Sequence, residues 1–441
     1  MKTWDVIVIG GGILGCFAAR NLRRWNISVL LLEKTEDVCT GITRANSAIC
    51  YAGYDNKPGS RKAEMTVRGN ANMDTLCAEL EVPFSRCGSL LVTYDAASVP
   101  RLEKKLQNGL QNGVPGLRLL SGSQAEAMEP MLKPGVAAAL YAPSTGTVNP
   151  WQLGIAAFEN ACRNGAEARL NTEVLGVRKS EDGYAVETNA GLFSGRMVLN
   201  CAGLSADKVQ ELLFEPSVRL KLDGAEYLVL DPLAKKPSRV IFHQAESCGK
   251  GITAIPCVEG NLLISGVRKP LGIPFATTVE GLQELYRDTR ALLPDVDLDQ
   301  VIRSFGAVRP NPYLDSGENV PDFCVENPAP GFYSLIGIKT PGLTCANELG
   351  MYLAEQAAIF LNAEVNPDFD PKRQGIACRD DEIICQCEQI TKAEIVEAIR
   401  RGATTVEGVK RRAGSSMGRC QGSRCTHRIE KLLEEYGQWS M

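Results

Sequence analysis

The sequence predicts an α/β fold in three parts: an N-terminal strand-helix-strand nucleotide unit, a mostly antiparallel sheet from the middle of the chain, and a small helical C-terminal module. Three observations predict it. Glycines in the spacing G-x-G-x-x-G interrupt the first apolar run, and apolar runs alternating with turns fill the stretches 81–145 and 216–325. A C-x-C pair is followed, after 32 residues, by a C-x4-C pair. At 441 residues the chain is too long for one core and divides into domains.

The N-terminal unit comes first. Residues 4–9 read as a buried strand, 13–24 as an amphipathic helix and 28–32 as a second buried strand. Gly10, Gly12 and Gly15 fall at the first turn, and Glu33 lies 23 residues beyond Gly10, at the end of the second strand. Each has a physical role. The glycines allow a tight turn, close approach of backbone to a pyrophosphate and close helix packing, and the acid offers an acceptor for ribose hydroxyls. With strands, helix and acid in register, the pattern reads as a dinucleotide site, although it does not separate FAD from NAD.

Further strands are expected at 171–177 and 197–202, with a helix at 150–164 before them. The runs Gly88 to Val92 and Gly260 to Ile264 belong to the antiparallel sheet. Residues 332–336 form a late strand ending in Gly337, and 347–360 an apolar helix. Between them Pro341-Gly342-Leu343-Thr344 sets backbone amides at a helix start, where the positive dipole end faces an anion or a carbonyl. Asn366 to Lys372, polar and with two prolines, marks a linker.

In the last module, Thr391 with Glu394 is a capping-box pair opening a helix that Gly402 closes. Thr404 with Glu407 repeats the signal for a second helix ending near Gly414, and a third helix covers about 426–436. Cys385, Cys387, Cys420 and Cys425 lie in the loops around them, so four thiolates can meet at one point. Such a set suits a tetrahedral zinc or a 2Fe-2S cluster, and spacing alone does not decide which. The other cysteines, Cys16, Cys50 and Cys201 among them, sit in apolar segments and read as small buried hydrophobes. Cys378 reads as a linker residue.

Bulk properties exclude some functions. A net charge of -4 offers no field for gripping nucleic acid. The opening residues show no signal-peptide pattern, and no run of about 18 apolar residues is long enough for a membrane span. The expectation is a cytoplasmic protein whose sixteen cysteines are thiols or metal ligands, since that compartment keeps thiols reduced.

Thr43-Arg44-Ala45-Asn46-Ser47-Ala48 followed by Ala52-Gly53-Tyr54-Asp55 resembles the second flavin-contacting segment of the D-amino-acid-oxidase-like superfamily. Gly146 to Pro150, Asn200-Cys201-Ala202-Gly203, Gly249-Lys250-Gly251, Gly306 to Pro310 and Gly337 to Thr344 follow in that superfamily's order. The likeness covers residues 1 to about 365 and is nearest to the glycerol-3-phosphate dehydrogenase large subunit of anaerobes and to L-2-hydroxyglutarate oxidases. It implies a discontinuous Rossmann-like FAD domain from 1–80, 146–215 and 326–365, with 81–145 and 216–325 as the substrate domain. It also implies FAD contacts at Gly10, Gly12, Gly15, Glu33, Lys34, Thr43, Asn46, Ser47, Val174, Ala202, Gly203, Gly337, Gly342, Leu343 and Thr344. The C-terminal pattern, with Val409-Lys410-Arg411-Arg412 and Met417-Gly418-Arg419 around it, is similar to bacterioferritin-associated ferredoxin domains. That implies a 2Fe-2S cluster in 381–441 after a linker at 366–380, with Lys410, Arg411, Arg412, Arg419 and Arg424 offsetting its negative charge.

These resemblances imply an FAD-dependent dehydrogenase oxidising a small anionic hydroxy compound, glycerol 3-phosphate first and a 2-hydroxy acid second, with electrons leaving through the cluster to a partner protein. An amine or imino-acid dehydrogenase, and an electron-transfer subunit without its own substrate, are the alternatives. Arg309 is the leading anion anchor, because a guanidinium binds carboxylate or phosphate bidentately; Lys339 and Lys250 are weaker candidates. Relatives place a histidine where this chain has Tyr51, so Tyr51, or a water it holds, stands for the base. His243 reads as a packed residue and His427 belongs to the cysteine module.

Overall fold

The computed structural model describes residues 2–244, 251–266, 269–270 and 272–437. Its core is an eight-stranded sheet whose middle is parallel. Thr3–Ile9 lies between Val29–Leu32 and Gly191–Asn200, and Glu167–Arg169 continues the sheet beyond Val29–Leu32. The apolar run Val6 to Ile9 is buried on both faces, as a central parallel strand requires. Gly191–Asn200 changes partner along its length: its first half pairs antiparallel with Gly183–Thr188, its last residues parallel with Phe332–Ile336. The expected strand at 171–177 starts three residues late, at Val174–Ser180, because Asn171 takes a left-handed turn with φ 51°.

Helices Ile13–Leu22, Pro150–Arg163 and Gly342–Leu361 pack together on one face of this sheet. The first ends two residues short of expectation. The last begins five residues early, so Gly342 itself opens it.

A nine-stranded sheet stands over the nucleotide unit, with strands drawn from between Ser89 and Ala142 and between Arg219 and Tyr313. Its pairings are antiparallel except where Val240–His243 runs beside Ser89–Thr93.

The segment after Asn362 is a packed strap. The Asn160 amide donates to the carbonyls of Asp370 and Lys372, Arg20 reaches the carbonyl of Pro371, and the Phe369 ring lies under Arg24. The segment read as a linker thus runs against two helices of the nucleotide unit. The reason is that buried polar groups on two helices, Asn160 and Arg20, need the carbonyls it supplies.

The cysteine module holds a short strand pair and helices Lys392–Arg400, Val406–Ala413 and Thr426–Tyr436 around its own core. Thr391 and Glu394 form the expected capping box. The second helix is capped by Thr405, not Thr404, through the amide of Gly408, and Gly414 closes it in the left-handed conformation. This helix docks on the nucleotide unit through buried charge. Arg412 donates to both oxygens of Asp37 at 2.7 and 2.8 Å, and Arg411 adds a third bond at 2.9 Å. Burial opposes ionisation of Asp37, but the Arg412 and Arg411 guanidiniums outweigh it and hold the carboxyl below the usual carboxylate range. Nearby, Glu159 takes Arg373 at 2.8 Å and Arg401 at 3.3 Å, tying strap and module to the same helix. Two cations expected to offset cluster charge, Arg411 and Arg412, therefore both bond to Asp37 of the nucleotide unit.

Candidate functional site

The parallel strands open at their carboxyl ends into a cleft of about 840 Å³, bounded on the far side by the nine-stranded sheet. Gly10 makes the first tight turn with φ 101°. A Cβ there would meet the Cys201 carbonyl oxygen at 2.6 Å. Gly15 lies one helical turn on, where a Cβ would come within 1.9 Å of the Gly10 carbonyl oxygen, so only glycine lets the helix start pack this closely. The Glu33 carboxylate accepts from the Gly11 amide at 2.6 Å and from the Thr35 amide and hydroxyl at 2.9 Å each. It faces the cleft while bracing the glycine loop. Thr43 accepts from the Ile13 amide at 3.0 Å, satisfying one of the helix's open donors.

Gly10, Gly12, Glu33, Lys34, Thr43, Asn46, Ser47, Val174, Ala202, Gly203, Gly342 and Leu343 all line this one cleft, although they come from separate stretches of chain. Three other expected contacts stand behind its wall. Gly15 serves helix packing. Gly337, with φ 66°, lets the strand end turn beneath Pro312, where a Cβ would be 2.7 Å from the ring. The Thr344 hydroxyl accepts from the Tyr51 amide at 2.9 Å.

The residues expected at the substrate end also share the cleft. The Tyr51 hydroxyl lies 3.3 Å from Ser47 Oγ, and its ring stacks on Phe242 with centroids 6.0 Å apart. Arg309 is held through Nε by the Asn311 side chain at 3.1 Å, which in turn donates to Asp223 at 2.8 Å. Lys339, buried, donates to the Val320 carbonyl at 3.0 Å and so also clamps a loop. Lys250 lies outside the described residues. His243 does not line the cleft; its ring meets Tyr94 edge-on at 6.1 Å, as expected of a packed histidine. His427 is exposed on the last helix, 3.8 Å from Glu430.

Arg44, within the expected flavin-contacting segment, lines the cleft over the Phe275 ring, whereas sequence reasoning missed Tyr227, Thr253, Ser265, Glu407 and Arg411, which line it too. Period-two alternation was the available signal for the sheet residues: Ala225 and Tyr227, or Ala307 and Arg309, lie two apart on one face. Nothing local marks Glu407 or Arg411.

In the module, the thiols of Cys385 and Cys425 interact, as do those of Cys387 and Cys420, and Cys385 also lies beside Cys387. The described residues bring no group of three metal-binding side chains fully together. Two facing thiol pairs are nonetheless the donor set of a 2Fe-2S cluster, with two thiolates to each iron. Burial opposes ionisation of Cys420, but the amides of Arg424 and Gly422 and the Cys387 thiol hold it below its usual value. Cys378 is exposed and donates to the Ala393 carbonyl. Burial pushes Cys50 and Cys201 up to about 12, so they stay inert thiols.

Residues 5–356 match the FAD-dependent oxidoreductase family, and residues 383–435 match the BFD-like [2Fe-2S] binding domain. The chain belongs to the FAD-dependent oxidoreductase family. A glycerol 3-phosphate dehydrogenase from Caloramator mitchellensis is 38% identical over 98% of this chain and 94% of its own length. The human mitochondrial L-2-hydroxyglutarate dehydrogenase is 32% identical over 52% of this chain and 53% of its own length. Among solved structures, the L-α-glycerophosphate oxidase of Mycoplasma pneumoniae with FAD bound has the same fold, with a TM-score of 0.77 at 24% identity, covering 85% of this chain and 99% of that one. The cofactors of this oxidoreductase are therefore FAD and a 2Fe-2S cluster. The glycine cradle and the two thiol pairs fit them. No helix among the described residues is long and apolar enough to cross a membrane.

Proposed function

We propose that the protein is a dehydrogenase of a small anionic hydroxy compound, glycerol 3-phosphate first and a 2-hydroxy acid next, that passes electrons through its cluster to a protein partner. The observation that carries this reading is the meeting of Arg309 and Tyr51 in the cleft that holds the dinucleotide cradle. The relatives that act on glycerol 3-phosphate support the choice of substrate.

FAD supplies the hydride acceptor when bound, and the cluster supplies a one-electron carrier. The chain's own residues do the rest. Arg309, fixed by Asn311 and Asp223, orients the substrate's phosphate or carboxylate with charge-assisted hydrogen bonds. Tyr51, or a water it holds, takes the proton of the substrate hydroxyl while the phenol hands its own proton on through Ser47 Oγ, 3.3 Å away, to solvent. The Gly342–Leu361 helix start presents its positive end to the cleft, with Gly342 and Leu343 in the wall. Residues 1–80, 146–215 and 326–365 serve as the FAD unit, 81–145 and 216–325 as the substrate roof, and 381–441 as the electron exit.

The test is anaerobic mixing of purified protein with glycerol 3-phosphate, L-2-hydroxy acids, and amino and imino acids, watching the flavin absorbance. Bleaching by glycerol 3-phosphate at low concentration is the expected result. Bleaching only by an amino or imino acid would overturn the substrate class, and bleaching by nothing in the panel would favour a subunit without its own substrate.

A further inference from the structure

Helix Val406–Ala413 does more than dock. Glu407 and Arg411, one turn apart, line the same cleft as Gly12, Glu33 and Lys34, so the cysteine module forms part of the dinucleotide site's wall. Arg411 is buried, with 5% of its surface exposed, and donates from Nη2 to Asp37. Its Nε is enclosed by protein, so the donors it can offer a ligand are the terminal Nη hydrogens not spent on Asp37.

Its neighbour shows why Arg411 is not needed for docking alone. Arg412 already occupies both oxygens of Asp37, and its Nε, 3.8 Å from Glu159 Oε1, is as buried and as free of a hydrogen bond among the described residues as that of Arg411. Arg412 is absent from the cleft wall, whereas Arg411 is in it. One arginine therefore holds the module in place. The other spends one Nη2 hydrogen bond on Asp37 and stands in the wall of a site whose ligand is rich in acceptor oxygens.

We propose that Arg411 is an FAD-binding residue, supplied by the 2Fe-2S module to the ribose-diphosphate half of the cofactor, so that docking of the module completes the dinucleotide site. The acceptor class is a phosphate or ribose oxygen, which a guanidinium N–H recognises well. The loop that follows Glu33 carries both Asp37 and the cleft residues Lys34, Thr35 and Glu36, which puts this arginine against the nucleotide end. The inference rests on FAD binding, which family membership establishes, and not on the choice of substrate.

The experiment uses the full chain, stripped of FAD but with its cluster intact, titrated separately with FAD, ADP and riboflavin. Arg411→Ala should weaken FAD and ADP binding at least tenfold and leave riboflavin binding unchanged, with iron and sulfide content as in the native protein. Unchanged FAD and ADP affinities in that folded, cluster-bearing variant would overturn the proposal. Should Arg411→Ala undock the module, seen as faster proteolysis within 366–380, Arg411→Met decides, because it keeps the side chain's apolar stem and leaves Arg412 on Asp37. Native ADP affinity in Arg411→Met overturns the proposal, and a tenfold loss with normal proteolysis supports it.

Discussion

Tyr51 lines the cleft, and its surroundings suit it to the work proposed. Its backbone amide is pinned by Thr344, its ring lies against Phe242, and its hydroxyl is within 3.3 Å of Ser47. Removing the hydroxyl alone, by Tyr51→Phe, should lower kcat by roughly 10² to 10⁴, the usual worth of a positioned proton acceptor, while flavin content stays at one per chain. Stopped-flow flavin reduction checks this; an unchanged reduction rate would take Tyr51 out of the chemistry. Arg309 predicts the opposite division. A charge-assisted pair contributes about 1.5 to 3 kcal/mol, so Arg309→Leu should raise KM by roughly 10- to 100-fold. Steady-state kinetics with substrate in excess would show kcat falling far less than kcat/KM. Equal KM values would mean that the guanidinium serves the strand and not the substrate.

At the scale of elements, the docking of helix Val406–Ala413 turns on one carboxylate. Asp37 is 1% exposed and meets two guanidiniums that are themselves buried. Asp37→Asn leaves those two cations without their counter-ion, a loss of about 3 to 5 kcal/mol for a broken buried pair. The variant should release the module, seen as rapid cleavage within 366–380 at neutral pH. The native protein has a distinct pH signature. Because the folded carboxyl titrates below its ordinary value of about 3.9, its contribution is complete above that value and is lost only as pH falls through the lower, folded one. Proteolysis of the strap should therefore be flat from pH 7 down to about 4 and rise only below that. A rise centred near pH 6 would point to some other group.

At the scale of the whole molecule, the question is why a flavoenzyme carries a cluster. Reduced flavin reacts with oxygen directly, whereas a protein acceptor that takes single electrons needs the two-electron hydride divided first. Cys420→Ser with Cys425→Ser should abolish bound iron and sulfide and stop turnover with the native acceptor, yet leave anaerobic flavin reduction by substrate intact. Full turnover in that variant would make the cluster a structural staple. Of the cations read as offsetting cluster charge, Arg411 and Arg412 are buried against Asp37, whereas Arg419 and Arg424 are exposed.

The sequence by itself determined the parts whose signals are local. Gly10, Gly12, Gly15 and Glu33 lie within one strand-helix-strand unit, and Cys385, Cys387, Cys420 and Cys425 within one short module. Their spacing alone therefore announces a nucleotide cradle and a set of thiolates. The helix cap at Thr391 was legible for the same reason, since a cap acts across three residues. The neighbouring cap was misplaced by one residue, because Thr404 and Thr405 offer the same hydroxyl and only the packed chain chooses. Tertiary structure alone decided what depends on contacts between distant segments. It set Arg309 and Tyr51 in one cleft, made a strap of an apparent linker, and committed Arg411 and Arg412 to Asp37 some 374 residues earlier. No periodicity encodes such pairings, because a buried guanidinium and its carboxylate need only meet in space.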